Sequence, residues 1–93
     1  GDVYYKFTKG DIYTKLGRIK FRTGSYKLAK DYYEFAEKIF REVNDEQLDK
    51  KNLISHVSIA LLETGRSYDA MGQYLKAKAK YEEALSLDQE MEK

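Results

Sequence analysis

The stretch that decides the fold is residues 64–85, TGRSYDAMGQYLKAKAKYEEAL, because residues 16–37, LGRIKFRTGSYKLAKDYYEFAE, carry the same pattern 48 positions earlier. Glycine, tyrosine and alanine return in the same order without a gap. A repeat at fixed spacing indicates stacked copies of one structural unit. The signature positions are Gly17, Gly24, Tyr26, Ala29, Tyr33 and Ala36 in the first copy and Gly65, Tyr68, Gly72, Tyr74, Ala77, Tyr81 and Ala84 in the second. All are shared except Tyr68, whose equivalent is Lys20.

Each copy predicts two helices joined by a turn. After Gly24 and after Gly72, apolar residues recur every three or four positions, which places them on one face of a helix. We expect the two glycines at the turns, because glycine adopts backbone conformations that other residues avoid. No proline occurs in the 93 residues, which favours long uninterrupted helices. The preceding helices are indicated by Ile12, Leu16 and Ile19 in the first copy and by Ile54, Val57 and Leu61 in the second.

Gly17 and Gly65 fall inside the predicted helices at the same place in both copies. A glycine in a helix interior costs about 1 kcal/mol relative to alanine. We therefore predict that the partner helix approaches closely at both positions and that a larger side chain would block this approach.

The second helix of the first copy has a further apolar stripe beside the one it shares with the second copy. A helix with two apolar faces is predicted to be covered on two sides, by its hairpin partner and by the next hairpin. The residues of this further stripe are Leu28, Tyr32, Phe35 and Ile39.

These residues together resemble the tetratricopeptide repeat. The second copy matches its pattern of small and aromatic residues from Thr64 to Leu85, and the first copy matches from Tyr13 to Ala36 with a departure at Lys20. The resemblance covers about residues 10–43 and 58–91. It implies an all-α fold, a right-handed α-solenoid of two antiparallel helical hairpins with elongated helices.

The resemblance also sets the expected organisation. We expect one domain over residues 1–93, with repeat one at about 4–44, a connection at about 45–51 and repeat two at about 52–93. Two hairpins are fewer than the roughly three repeats that such arrays usually need. The chain is therefore interpreted as a fragment of a longer array.

The spacing of 48 residues exceeds the family's usual period of about 34. The extra length equals about four helical turns. We expect two turns at the end of the first hairpin's second helix and two at the start of the next helix, with Asp49 or Asn52 as its cap. The alternative is an extra short helix in the connection.

Composition and residue chemistry argue against an enzyme. With 42% hydrophobic and 35% charged residues, the chain suits a folded protein without membrane spans. The absence of cysteine excludes disulfides and fits a cytoplasmic protein. His56 is the single histidine and is interpreted as a surface or edge residue rather than a metal ligand or a catalytic base. We expect no catalytic residues, no cofactor and no metal.

The charge distribution indicates a possible partner. Residues 1–30 hold eight Lys or Arg and two Asp, so this third of a nearly neutral chain is basic. The family resemblance implies a concave groove lined by the first helix of each hairpin, in which Arg18 and Arg66 occupy the same repeat position. Paired arginines suit carboxylates, so an acidic peptide or helix is the expected partner. The other groove candidates are Thr14, Lys15, Phe21, Arg22, Leu62, Glu63 and Asp69, flanked by Asp11 and Ile59.

Other interpretations stay open. The arginines also fit an ordinary solvated surface. The chain could be a structural spacer or a self-association segment, a homodimer or a helix-exchange pair formed through exposed repeat edges. RNA binding through the basic, tyrosine-containing first third is a less favoured alternative. No small-molecule substrate and no membrane partner are expected.

Overall fold

The computed structural model describes residues 2–43 and 49–92, and this part of the chain contains four helices and no strand. They are α1 (Asp2–Arg22), α2 (Tyr26–Glu42), α3 (Lys50–Ala70) and α4 (Tyr74–Glu92). Helices α1 and α2 form hairpin one, α3 and α4 form hairpin two, and α2 packs against α3. No helix in the described ranges is long and apolar enough to cross a membrane.

Both hairpins turn at the predicted glycines. Gly24 and Gly72 have φ of 86° and 76°, a region that glycine tolerates without steric cost. The amides that follow them bond back over the helix end, Ser25 to the Lys20 carbonyl at 2.9 Å and Gln73 to the Tyr68 carbonyl at 2.9 Å. This bonding satisfies carbonyls that the helix end would otherwise leave open, and it reverses the chain within a few residues.

The close approach predicted at the helical glycines is confirmed. A Cβ placed on Gly17 would lie 2.6 Å from Cε1 of Tyr33, and one on Gly65 would lie 2.6 Å from Cε1 of Tyr81. Each tyrosine ring therefore lies close against the bare backbone of the partner helix. Any side chain at these two positions would separate the helices of its hairpin.

The two hairpins meet around a core that neither could form alone. Ala36 and Phe40 of α2, Val57 and Leu61 of α3 and Ala84 of α4 are buried together in one cluster. Burying apolar side chains from three helices stabilises the packing of one hairpin on the other.

The prediction that α2 is covered on two sides is confirmed, because α2 packs on α1 and on α3. The cover of its further stripe is incomplete, since Leu28 and Phe35 are exposed. The rings of this stripe are only partly covered, by α1, where Tyr13 stacks on Tyr32 and Phe35 with centroids 5.9 and 5.6 Å apart. Tyr74 belongs to the repeated stripe of the second copy, but 68% of its surface is exposed, because α4 has no helix on that side.

About two turns of the repeat's extra length lie at the start of α3, and none lie at the end of α2. Helix α3 begins at Lys50, about two turns before residue 58, as expected. Its cap is Asp49, whose side chain accepts a hydrogen bond from the Lys51 amide at 3.0 Å.

The predicted extension of α2 is wrong, since this helix ends at Glu42 and Val43 is extended. Residues 44–47, which follow Val43, are all polar, so the next positions of the stripe have no apolar side chain. The alternative of an extra short helix falls on residues 44–48, which lie outside the described part of the chain.

Candidate binding surface

The candidate groove residues lie on α1 and α3, and most of them reach solvent. Lys15, Arg18 and Arg22 of α1 are exposed, as are Leu62, Arg66 and Asp69 of α3, whereas Phe21 and Glu63 are half-buried. The basic residues are spaced along the turns of α1, so their charges are spread over its solvent-facing side.

Thr14 does not belong to this surface. It is buried, and its hydroxyl donates a hydrogen bond to the Gly10 carbonyl at 3.0 Å. A β-hydroxyl on a helix often bonds to the carbonyl four residues earlier, and here that bond uses the hydroxyl within hairpin one. The prediction that Thr14 lines the groove is therefore wrong.

Arg66 is held in place by two neighbours from different helices. Its Nη1 donates to Oε1 of Glu63 at 3.2 Å, and its guanidinium carbon lies 5.7 Å from the centre of the Phe21 ring. Phe21 is itself fixed by an edge contact with Tyr26, at 5.1 Å between centroids. A guanidinium over an aromatic face keeps its donors in one plane and directs them outward.

Arg18 occupies the same repeat position but has no comparable anchor. Its side chain is exposed and makes no ion pair or hydrogen bond with another residue of the described ranges. Lys15, one turn away, instead pairs with Asp11 at 3.3 Å. Such an exposed pair contributes little to stability, so the Lys15 charge stays accessible to a partner.

A buried hydroxyl that no sequence pattern indicates lies near these side chains. The Tyr33 hydroxyl is buried and, within residues 2–43 and 49–92, has no hydrogen-bond partner. Burial, followed by the negative charge of Glu63, raises the pKa of Tyr33 to about 12, while the guanidinium groups of Arg18 and Arg66 act in the opposite direction. One hydroxyl therefore lies within electrostatic reach of Arg18, Glu63 and Arg66.

Hairpin two repeats part of this arrangement. Burial, and then the carboxylate of Asp69, raise the pKa of Tyr81, and Arg66 again opposes them. Arg66 thus lies within electrostatic reach of both Tyr33 and Tyr81. The surface on α1 and α3 therefore carries cations and carboxylates near two tyrosine hydroxyls.

His56 lies at the hairpin interface rather than on a free surface. Its ring is 4.7 Å from the Phe7 ring and 4.9 Å from the Phe40 ring, centroid to centroid. Its Nδ1 is 2.8 Å from the Asn52 carbonyl oxygen. Within the described ranges, no three His, Cys, Asp or Glu side chains are grouped so as to hold a metal ion.

Comparison with known proteins identifies the pattern that repeats. The family model described as tetratricopeptide repeat matches residues 10–42 and again residues 60–91. The matches begin at residues 10 and 60, whereas α1 and α3 begin at Asp2 and Lys50, so the first helix of each hairpin extends beyond the match at its start. No curated protein and no solved structure shows significant similarity to the chain.

Proposed function

The chain belongs to the tetratricopeptide repeat family, and we propose that it is a non-enzymatic module that binds an acidic peptide or helix along α1 and α3. Tandem repeats of this family form a helical-hairpin solenoid and generally mediate protein–protein interaction, without catalysis. We place this interaction in the cytoplasm, which agrees with a chain that uses no cysteine.

The observation that carries the proposal is the shared environment of Arg18 and Arg66. Both are exposed at equivalent positions of α1 and α3, and the charge of each guanidinium group lowers the pKa of the same buried Tyr33 hydroxyl. Arginine presents a flat pair of donors that matches a carboxylate. Two such groups at successive repeat positions suit a partner with two acidic side chains, or with one acidic side chain and a terminal carboxylate.

Glu63 is the residue we expect to compete with that partner. It already accepts a hydrogen bond from Arg66, and only 15% of its side chain is exposed. An incoming carboxylate would take over the outward donors of Arg66 and meet repulsion from Glu63. Glu63→Gln removes this charge while keeping the shape, so we expect the variant to bind acidic partners more tightly than wild type.

The test is capture of partners from a cell lysate, identified by mass spectrometry. Wild type is compared with the Arg18→Glu, Arg66→Glu double variant, after circular dichroism shows that both are equally helical. A matched control carries the same charge change on α2, with exposed Lys27 and Lys38 each changed to Glu.

The proposal expects partners that bind wild type and the control but not the groove variant. Capture that is equal for all three proteins would rule out the surface on α1 and α3. Loss of capture after treatment of the lysate with ribonuclease would instead favour RNA binding by the basic first third of the chain.

A further inference from the structure

We propose that the chain also binds a second copy of itself head to tail, with α4 of one copy packed on α1 of the next. The interface would repeat the α2–α3 packing inside each chain. This inference does not require that the groove on α1 and α3 binds a peptide, although Arg18 and Asp69 belong to both surfaces. It rests on what the 48-residue offset places at the two outer sides of the molecule.

The outer side of α1, here called the first edge, corresponds to a surface that is buried in α3. Ala60, Leu61 and Thr64 of α3 are almost completely buried. The residues 48 positions earlier are Ile12, Tyr13 and Leu16. They are also apolar, yet Ile12 is 51% exposed and the other two are half-buried. The first edge is therefore an apolar strip of the kind that α2 covers on α3.

The outer side of α4, here called the second edge, corresponds to the side of α2 that packs on α3. It forms an open depression of about 350 Å³. At equivalent positions, the Lys30 side chain is 19% exposed in α2, where it lies over the Tyr68 ring of α3, while that of Lys78 is 72% exposed in α4. The residues that line the depression are Asp69, Tyr74, Ala77, Lys78, Tyr81, Glu82 and Leu85.

The 48-residue offset also replaces a central apolar contact by a pair of opposite charges. Inside the chain, Phe40 of α2 is buried in one cluster with Val57 of α3. The equivalent residues at the two edges are Asp88 and Lys9. Both are exposed, and stacking of a second copy would bring the carboxylate of one to the ammonium group of the other.

A second contact changes in the same way. Inside the chain, the Arg66 guanidinium packs over the Phe21 ring, which joins α3 to α1. The equivalent residues across the proposed interface are Arg18 of the next copy and Asp69. Both are exposed, so the aromatic contact would be replaced by an ion pair. The contact of Lys30 with Tyr68 becomes Lys78 against Lys20, so one like-charge pair is set against two pairs of opposite charge. The balance of opposite charge favours a second copy as the occupant.

The same charges disfavour symmetric pairing. If two first edges met, the cations Lys9 and Arg18 of one copy would face those of the other. If two second edges met, the carboxylates Asp69 and Asp88 of the two copies would face each other. Unlike edges must therefore meet, and an interface of that type leaves one edge of each kind open at the ends. The expected products are dimers that grow into short chains as concentration rises.

The test is sedimentation velocity of the purified protein over a wide range of concentration. Wild type is expected to exceed the monomer mass of 10.9 kDa by an amount that increases with concentration. Ile12→Glu damages only the first edge and Leu85→Glu only the second edge. Each change should weaken self-association by about tenfold or more, because it places a carboxylate against apolar side chains.

Mixing the two variants gives the decisive result. The intact second edge of Ile12→Glu fits the intact first edge of Leu85→Glu, and the damaged edges, both acidic, repel each other. The mixture should therefore form dimers and nothing larger, although each variant alone is monomeric. Leu75→Glu is the matched control, because Leu75 is exposed on α4 away from the depression, and it should assemble as wild type does.

Two outcomes would overturn the proposal. One is a wild-type mass that stays at 10.9 kDa at every concentration. The other is an assembling wild type whose two edge variants do not combine when mixed, which would show that like edges pair. A charge exchange provides an independent readout, since Arg18→Asp should weaken assembly and addition of Asp69→Arg in the same chain should restore it.

Discussion

At the ends distant from their turns, the two hairpins pack their helices together through opposite chemistry at the same two positions. In hairpin one, Gly10 leaves room for the Phe40 ring, whose Cε1 would lie 2.7 Å from a Cβ on that glycine. In hairpin two, the equivalent residues are Ser58 and Asp88, and the serine hydroxyl donates to Oδ1 of the aspartate at 2.9 Å. The repeated backbone fixes where the helices meet, and either an aromatic ring or a hydrogen bond can fill that place.

Near the turns the hairpins are alike. Gly17 with Tyr33 and Gly65 with Tyr81 have the same separation, since a Cβ added to either glycine would lie 2.6 Å from the ring of its tyrosine. Both turns use a glycine with positive φ. The turn end of each hairpin is thus set by one shared packing rule, while the far end differs with the residues that meet the neighbouring hairpin.

The largest expected effect is at the aromatic far end of hairpin one. Phe40→Ala removes a ring that contacts Phe7 and His56 and is buried with Val57. We expect a loss of about 4 kcal/mol in the free energy of unfolding, since it empties a well-packed site. Urea unfolding followed by circular dichroism measures it, and a loss below that of Asp88→Ala would contradict the comparison.

The next effect tests the likeness of the turn ends. Gly17→Leu and Gly65→Leu should each destabilise the chain by about 3 kcal/mol, because the new side chain must displace a tyrosine ring. The two losses should be similar, as the two distances are equal. An unchanged melting temperature for either variant would show that close packing is not the reason for that glycine.

A smaller effect is expected at the polar far end of hairpin two. Asp88→Ala removes the hydrogen bond with Ser58 and should cost about 1 to 2 kcal/mol, because a buried hydroxyl loses its acceptor. Ser58→Ala and the double variant complete a thermodynamic cycle. If the two single losses simply add, the serine and the aspartate do not stabilise hairpin two through their mutual bond.

The smallest effect concerns the unpartnered hydroxyl of Tyr33. At neutral pH, Tyr33→Phe should change stability by less than about 0.5 kcal/mol, because no hydrogen bond is lost.

At high pH the two proteins should differ. The pKa of Tyr33 is about 12 in the folded chain and about 10 in an unfolded one, so the unfolded state releases its proton first. The stability from the neutral hydroxyl is complete below pH ~10 and is lost as pH rises to the folded pKa. Wild type should therefore lose more stability than Tyr33→Phe over this range, and parallel curves would contradict the pKa.

Much of the fold could be predicted because most of the residue patterns occur in both copies of the repeat. The turn glycines, the close approach at Gly17 and Gly65 and the cap at Asp49 all follow from local patterns and are confirmed. The extension of α2 could not be predicted, because period length alone does not say which helix receives the added residues. The exposure of Tyr74 depends on whether a helix covers α4, which its own sequence does not show.

The candidate surface was less predictable. The burial of Thr14 could not be predicted from its sequence position, because the hydrogen bond of its hydroxyl to the Gly10 carbonyl depends on the rotamer of Thr14 on α1. The contacts of Arg66 with Phe21 and of His56 with Phe7 join residues far apart in the sequence, and no local pattern encodes them. The role of Gly10 was missed because its equivalent, Ser58, is not a glycine.

The most direct test of the proposed function is selection of binding peptides from a random displayed library on wild type and on the Arg18→Glu, Arg66→Glu variant. If the paired arginines form the working surface, wild type should enrich peptides with Asp or Glu at a fixed spacing. The variant should lose them and enrich Lys or Arg instead. If both proteins enrich the same peptides, the arginines of α1 and α3 do not bind the partner, and the proposed acidic-peptide groove is wrong.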